Sequence, residues 1–116
     1  MALDLGCGPA FSTQLLIEAC SPAKAIGLDA FDDFVQVARA RLPAARFETH
    51  DVTAMPLPGT PAEVIYSRLL LAHLPQPART AERWLSQLSS GGVLLLEHHL
   101  QDVLAPLGPL RTMNRS

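Results

Sequence analysis

The sequence has little of what membrane proteins and nucleic-acid-binding proteins need. Its longest aliphatic runs are residues 69–72 and 93–96, whereas a membrane-spanning helix needs about 20 apolar residues. Lysine and arginine number 9 against 11 aspartates and glutamates, which gives a formal net charge of −2. Without a basic excess, we expect no general attraction to nucleic acid or to an anionic membrane surface.

Cysteine is also scarce, because the chain has only Cys7 and Cys20. The segment between them is predicted to be helical, and about 13 residues of helix would hold them roughly 20 Å apart. A disulfide needs Cα atoms within about 7 Å of each other. We therefore expect two reduced cysteines in a cytoplasmic protein. No metal site is predicted either, because the adjacent His98 and His99 would point to opposite faces of a strand end.

Apolar residues, by contrast, are plentiful: 48% of the 116 residues are hydrophobic, enough for the core of one domain. Five short apolar segments are predicted as strands, at residues 2–5, 24–29, 46–50, 62–67 and 93–98. Apolar residues at helical spacing predict helices between them, at about 11–19, 31–42 and 78–88. The last helix is expected to end at Gly91 and Gly92. This alternation predicts an α/β fold, a doubly wound and mainly parallel sheet with helices on both faces.

The carboxyl ends of the strands are where ligands are expected. Right-handed crossovers bring these ends to one edge of a parallel sheet, and open α/β proteins bind their ligands there. The residues directly after the predicted strands are the loop 6–10, Asp29, Asp51, Ser67 with Arg68, and His98 with His99.

The loop after the first strand contains two glycines, in the segment 3–11, which reads LDLGCGPAF. Gly6 and Gly8 permit a tight turn and a close approach of the backbone to a ligand, and the following helix points its N-terminus at the same place. A dinucleotide-binding loop has glycine or alanine at the sixth position. That position is Phe11, whose ring we expect to obstruct the packing of helix against strand. A nicotinamide-dependent oxidoreductase is therefore the less favoured alternative, and it leaves Asp4 unexplained.

Two carboxylates follow the next two strands. Asp29 can accept hydrogen bonds from both hydroxyls of a ribose, and the alternative is that it caps the following helix. Asp51 can accept from the exocyclic amine of an adenine, with Val52 supplying a backbone donor and an apolar contact. The alternative for Asp51 is a loop residue that starts a turn.

The chain resembles the class I S-adenosylmethionine-dependent methyltransferases in the segments LDLGCGPA, GLD, HDVTAMPLP, EVIYSRLLLAHLPQP and GGVLLLEH. These occur in the family's order and spacing, between about residues 2 and 99. The resemblance implies a Rossmann-like sheet of about five strands in the order 3-2-1-4-5, and S-adenosyl-L-methionine as cofactor. It implies these cofactor contacts: Asp4, Gly6, Cys7 and Gly8 at the methionine part, Asp29 and Ala30 at the ribose, Asp51 and Val52 at the adenine, and Ser67 between methionine and acceptor.

The chain departs from the family in one glycine and in length. The family's third glycine is Ala10, and the family's helices ahead of the first strand are not in this sequence. Only 18 residues follow His98, so we expect residues 1–98 to form the cofactor-binding core and 99–116 a tail, with the family's terminal antiparallel strands missing. A gene fragment, a wrongly chosen start codon and a minimal protein all fit this pattern.

The fifth strand would then lie at an open edge of the sheet. An apolar edge strand without charges favours pairing with another chain, so we expect self-association through this strand. The tail offers an alternative cover, with apolar contacts from Leu104, Leu107 and Leu110.

The acceptor is expected to be a small molecule. Family members that methylate amines and nucleic acids often carry an Asn/Asp-Pro-Pro-aromatic motif after the fourth strand, where this chain reads YSRL at 66–69. The stretch SRLLLAHLP is similar to small-molecule O- and C-methyltransferases, including those that act on carboxylic acids. We expect no nucleic-acid and no membrane partner. A non-catalytic cofactor-binding module is the alternative to an enzyme.

Three residues are candidates for a role in transfer. Arg68 can pair with an acceptor carboxylate, with the carboxylate of the cofactor, or in an ordinary surface ion pair. His98 is one candidate for a catalytic base. His73 is another, although a capping or core role explains it more simply.

Overall fold

Six strands and three helices make up the part of the chain that the computed structural model describes, residues 1–68, 70, 73–98 and 111–114. The strands are β1 (Ala2–Leu5), β2 (Ala25–Asp29), β3 (Arg46–Thr49), β4 (Ala62–Arg68), β5 (Leu88–His98) and β6 (Arg111–Asn114). The helices are α1 (Phe11–Cys20), α2 (Asp32–Arg41) and α3 (Pro77–Ser86). None of the helices in these ranges is long and apolar enough to cross a bilayer.

The strands form one parallel sheet in the order β3-β2-β1-β4-β5-β6. This confirms the predicted α/β fold and the order of the first five strands. β1 pairs with β4 from Ala2 opposite Val64 to Leu5 opposite Ser67. The strand order reverses between β1 and β4, so a crevice opens between their carboxyl ends. Right-handed crossovers place α1 and α2 on one face of the sheet and α3 on the other.

The alternation of side chains along β1 divides its residues between the two faces. Leu3 and Leu5 pack into the main core cluster on the α3 face, around the fully buried Trp84. Asp4 points to the opposite face, where hydroxyl groups of α1 contact it. The carboxylate of Asp4 therefore lies beneath α1 and apart from the main core.

The start of β5 differs from the prediction, because Gly91 and Gly92 lie inside the strand and do not end α3. The helix ends at Ser86, and Leu88 pairs with Ala62 while Val93 pairs with Val64. The extra residues of β5 form a bulge, which glycine accommodates. A Cβ on Gly92 would lie 3.0 Å from the carbonyl oxygen of Ala62, and Gly91 has a φ of +77°.

The outer edge of β5 also differs from the prediction. β6 pairs in parallel with β5, from Leu95 opposite Arg111 to His98 opposite Asn114, so this edge is not open over those residues. The predicted exposure of the fifth strand is therefore wrong over Leu95–His98, and self-association stays a prediction. The tail residues Leu104, Leu107 and Leu110 lie outside the described residues.

Candidate cofactor-binding site

A cleft of about 560 Å³ lies at the carboxyl edge of the sheet. A volume of this size is typical of small-molecule sites. It is lined by Gly6, Asp29, Ala30, Phe31, Phe34, Asp51, Val52, Arg68, Leu70, His73 and Leu74. Seven of the residues singled out in the sequence are among them: Gly6, Asp29, Ala30, Asp51, Val52, Arg68 and His73. The crevice at the reversal of strand order is thus where the predicted residues meet.

The glycine loop contributes Gly6 to the lining of the cleft and is fastened to the end of β2. The backbone N–H groups of Gly6 and Cys7 both donate to the carbonyl of Leu28, at 2.7 and 3.0 Å. Gly6 and Gly8 have φ angles of +71° and +52°, which glycine adopts without strain. The N–H of Gly8 donates to Asp29 Oδ2 at 2.9 Å. Gly8 therefore contributes to the cleft by holding the carboxylate of Asp29 in place.

Ala10 adopts the left-handed conformation, with φ +78°, at the residue before α1. It is fully buried, and its methyl group packs in the cluster with Val35 and Ala38. A left-handed conformation costs a non-glycine residue roughly 1–2 kcal/mol. The alanine at the family's third glycine position is therefore strained in its backbone but well packed.

Phe11 does not obstruct the packing of α1 against the sheet, so that part of the prediction is wrong. Its side chain is exposed, and the guanidinium carbon of Arg41 lies 3.6 Å from the ring centroid. The residue begins α1 on the outward side of the helix. The geometry expected to exclude a dinucleotide is thus not present at Phe11.

Asp29 joins the glycine loop to the start of α2. Its Oδ1 accepts from the N–H of Phe31 at 2.9 Å, and its Oδ2 accepts from Gly8. The residue that precedes α2 is Phe31, so Asp29 is not the helix cap that the alternative interpretation expected. An ionised carboxylate has about four acceptor positions, so Asp29 keeps acceptor capacity toward the cleft.

Asp51 both starts a turn and lines the cleft. Its Oδ1 accepts from the N–H and the hydroxyl of Thr53, at 2.9 and 2.7 Å. These two hydrogen bonds lower the pKa of Asp51. Val52 follows with a buried side chain, and its carbonyl accepts from Trp84 Nε1 at 2.9 Å. The loop that carries Asp51 is therefore anchored to α3 through Trp84.

Asp4 lies behind the glycine loop and does not line the cleft. Its Oδ2 accepts from the hydroxyls of Ser12 and Thr13, both at 2.7 Å. Its Oδ1 is buried and has no hydrogen-bond partner among the described residues. Burial, reinforced by the nearby carboxylate of Asp29, raises the pKa of Asp4 to about 6 although the two hydroxyls oppose the shift. The unpartnered oxygen is a buried acceptor beside the glycine loop.

Two further sequence candidates, Cys7 and Ser67, are not among the residues that line the cleft. Cys7 is buried, and its burial raises the pKa of the thiol to about 12, so the reactive thiolate is suppressed. Ser67 is fully buried, and its hydroxyl has no partner within the described part of the chain. The side chain of His98 lies outside the described residues. Cys7 and Cys20 form no disulfide with each other.

Sequence reasoning missed two aromatic residues of the cleft, Phe31 and Phe34, because it assigned them to the buried stripe of α2. They are 66% and 45% exposed, whereas Val35 and Ala38 of the same helix are fully buried. The two rings meet edge to face, with centroids 6.0 Å apart. Phe31 precedes the first residue of α2, so helical spacing did not apply to it.

Arg68 lines the cleft from the end of β4, opposite the carboxylates of the glycine side. Its Nε lies 3.6 Å from Glu97 Oε1, and the side chain of Glu97 is almost fully buried. The hydroxyl of Tyr66 donates to Glu97 Oε2 at 2.7 Å. Glu97 was not among the sequence candidates, because its pairing with Arg68 depends on the register between β4 and β5.

A family model described as a methyltransferase domain matches residues 2–92. The chain belongs to the class I S-adenosylmethionine-dependent methyltransferases. S-adenosylmethionine is the cofactor of this methyltransferase family, as predicted.

Curated methyltransferases of known name are similar over most of the chain. Trans-aconitate 2-methyltransferase of Rhizobium rhizogenes is 36% identical over 96 residues, which is 83% of this chain and 37% of that protein. The corresponding enzyme of Methylobacterium radiotolerans is 35% identical over 118 aligned residues, covering 94% of this chain and 45% of the relative. The chain thus spans less than half the length of these methyltransferases.

A solved methyltransferase supports the same assignment. The S-adenosylmethionine-dependent methyltransferase of Mesorhizobium loti superposes with a TM-score of 0.69 and 28% identity. The superposition covers 80% of this chain and 44% of that one. The shared fold therefore extends over most of this chain and less than half of the solved methyltransferase.

Proposed function

We propose that this chain binds S-adenosyl-L-methionine in the cleft and transfers its methyl group to a small carboxylic acid. The observation that carries the proposal is the convergence of Asp29, Asp51 and the glycine loop on one cleft beside the unpartnered oxygen of Asp4. The name of the curated relatives, trans-aconitate 2-methyltransferase, supports a carboxylate as acceptor. Residues 1–98 would form the cofactor-binding core, since every lining residue lies between Gly6 and Leu74.

The residues present fit the chemical groups of this cofactor. Asp29 offers acceptor oxygens for ribose hydroxyls, and Asp51 offers them for the adenine amine. Ala30 and Val52 line the cleft near these carboxylates and offer apolar contact. The cofactor carries a methionine ammonium group, and Asp4, buried behind the glycine loop, would favour that group by its nearby negative charge.

Transfer requires little chemistry from the protein. S-adenosylmethionine supplies a methyl group that its sulfonium already activates, so the side chains have to bind and align the two reactants. A carboxylate acceptor is ionised at neutral pH, so it needs no general base. His73 lines the cleft, and an alcohol or phenol acceptor would need a base such as this histidine.

Cofactor binding without turnover is the second candidate. It is supported by the lining of the cleft, where Gly6, Asp29, Ala30, Asp51 and Val52 are all proposed cofactor contacts. Both candidates require the same cleft, so only a turnover measurement separates them. For either candidate we propose a cytoplasmic location, supported by two free thiols, with no nucleic-acid or membrane partner.

Two measurements test the proposal. Calorimetric titration with S-adenosylhomocysteine, S-adenosylmethionine and NAD should show binding of the first two only. Transfer of labelled methyl groups to trans-aconitate should then be detectable. Binding without transfer supports the second candidate, and binding of NAD alone contradicts the cofactor assignment.

A further inference from the structure

We infer that Arg68 binds a carboxylate of the methyl acceptor, and that Glu97 and Tyr66 position its guanidinium group for this contact. The inference rests on the proposed function, because it assigns the acceptor side of the same cleft. Arg68 would be a substrate-binding residue, and Glu97 and Tyr66 would be positioning residues.

The three side chains are brought together by the sheet. Tyr66 and Arg68 are two residues apart on β4, so they point to the same face, and Glu97 is the register partner of Arg68 on β5. One oxygen of Glu97 accepts from the Tyr66 hydroxyl at 2.7 Å, and the other lies 3.6 Å from Arg68 Nε. Each oxygen of this carboxylate is therefore engaged by a different neighbour on β4.

Burial distinguishes this arrangement from a surface ion pair, the third possibility left open for Arg68. The Arg68 side chain is 40% exposed, whereas that of Glu97 is only 6% exposed. Burying a carboxylate costs desolvation free energy, which its partners offset only when their geometry is good. Proteins in which apolar residues of similar size replace a buried ion pair are often no less stable. Stability is thus a weak reason for an acid at this position. Fixing the orientation of Arg68 is a better one.

The remaining donors of Arg68 are suited to an anion. The guanidinium carries five N–H donors in a planar fork that matches a carboxylate, and its ion pair with Glu97 is made on the Nε side. Within the described residues, no protein acceptor takes the Nη groups of Arg68. Among the described residues that line the cleft, Arg68 is the one arginine or lysine, and Asp29 and Asp51 on the other side would repel an anionic acceptor. A small polycarboxylate is therefore best placed with one carboxylate on Arg68.

The carboxylate of the cofactor is the competing ligand for Arg68, and equilibrium binding separates the two. Wild-type protein, Arg68→Met and Arg68→Lys are titrated first with S-adenosylhomocysteine and then, at saturation, with trans-aconitate. Arg68→Met should weaken trans-aconitate binding by about 10-fold or more, as expected for a charged hydrogen bond, and change S-adenosylhomocysteine binding less than about twofold. Arg68→Lys should give an intermediate loss, because it keeps the charge and removes the fork. Arg83→Met, at the end of α3, is the matched control and should change neither affinity.

A double-mutant cycle tests the positioning role. Glu97→Gln keeps an acceptor for Tyr66 and removes the charge beside Arg68, so it should weaken trans-aconitate binding by about 3- to 10-fold. In the Arg68→Met background it should have no further effect on that affinity, whereas a merely structural role would lower it in both backgrounds. Tyr66→Phe should follow the same pattern with a smaller loss.

Four results would contradict the inference, and each would overturn a different part of it. If Arg68→Met lowers both affinities equally, Arg68 serves the cofactor and the inference is wrong. If Glu97→Gln tightens trans-aconitate binding, Glu97 only offsets charge and the positioning role is wrong. If the wild-type chain binds S-adenosylhomocysteine but not trans-aconitate, the acceptor assignment fails while the cofactor site stands. Failure to bind S-adenosylhomocysteine contradicts the proposed function itself, and with it this inference.

Discussion

The two sides of the cleft are built in different ways. On the β1–β2–β3 side, backbone N–H groups of the loops donate to both carboxylates that line the cleft, from Gly8 and Phe31 to Asp29 and from Thr53 to Asp51. On the β4–β5 side, side chains hold one another, as Tyr66 and Arg68 engage Glu97. A backbone contact persists when neighbouring side chains change, whereas a side-chain contact changes with any of its members. We therefore expect the first side to be the constant part of the site and the second to be the part that sets acceptor specificity.

The largest effect is expected from Asp4, the buried acid on the constant side. Its pKa is about 6 in the folded protein, above the ordinary aspartate value of 3.8. Between these pH values the folded state binds more protons, so the free energy of unfolding falls as pH rises and levels off above about pH 6. The fall amounts to about 3 kcal/mol. Urea unfolding between pH 4 and 8 should show it.

Asp4→Asn should flatten that pH dependence and weaken S-adenosylhomocysteine binding about 10-fold or more, since it removes the buried charge. Glu18→Gln, which replaces an acid of α1 contacted by Gln14 at 3.5 Å, should keep both properties. An unchanged pH dependence in Asp4→Asn would show that another group titrates.

Asp29→Ala should weaken S-adenosylhomocysteine binding by about 1.5–3 kcal/mol, the range for hydrogen bonds to a charged group. The matched control Asp33→Ala, in the first turn of α2, should leave the affinity unchanged. If Asp29→Ala keeps full affinity in a folded protein, the carboxylate only fastens the glycine loop to α2.

Trp84→Phe tests whether the two sides are independent, because Trp84 of α3 holds the loop of Asp51 through Val52. The variant keeps a ring and leaves the buried Val52 carbonyl without its donor, at a cost of about 1–3 kcal/mol of stability. We expect weaker S-adenosylhomocysteine binding and unchanged trans-aconitate binding at cofactor saturation. Loss of both affinities would show that the sides are coupled. Denaturant unfolding and calorimetry measure the effects.

The smallest effect is expected at Ala10. Ala10→Gly relieves a left-handed alanine and removes a packed methyl group, which are opposing effects of about 1 kcal/mol each. The free energy of unfolding should change by less than about 1 kcal/mol. A loss of several kcal/mol would mean that the packing of Ala10 outweighs its backbone strain.

The two sides of the cleft also differ in how far the sequence could predict them. Gly6, Asp29 and Asp51 were predicted because strand ends and turn residues leave a local pattern along the chain. Glu97 left no such pattern, since its partners are defined by the register of β4 and β5. Phe31 and Phe34 were assigned to a buried stripe, because periodicity does not show where a helix begins. β6 was not predicted, since its four residues RTMN carry no apolar alternation.

The pairing of β1 with β4 has a consequence for how the site assembles. Ala2 lies opposite Val64, a separation far longer in sequence than that between Ala2 and Ala25 across the neighbouring pair. Closing such a long loop costs more chain entropy and slows folding. The cleft lies over the junction of β1 and β4. A ligand therefore binds there only after these two strands have paired, which closes the longer of the two loops. Bound cofactor should therefore slow unfolding of the whole sheet and stabilise the strand order in which β1 lies beside β4.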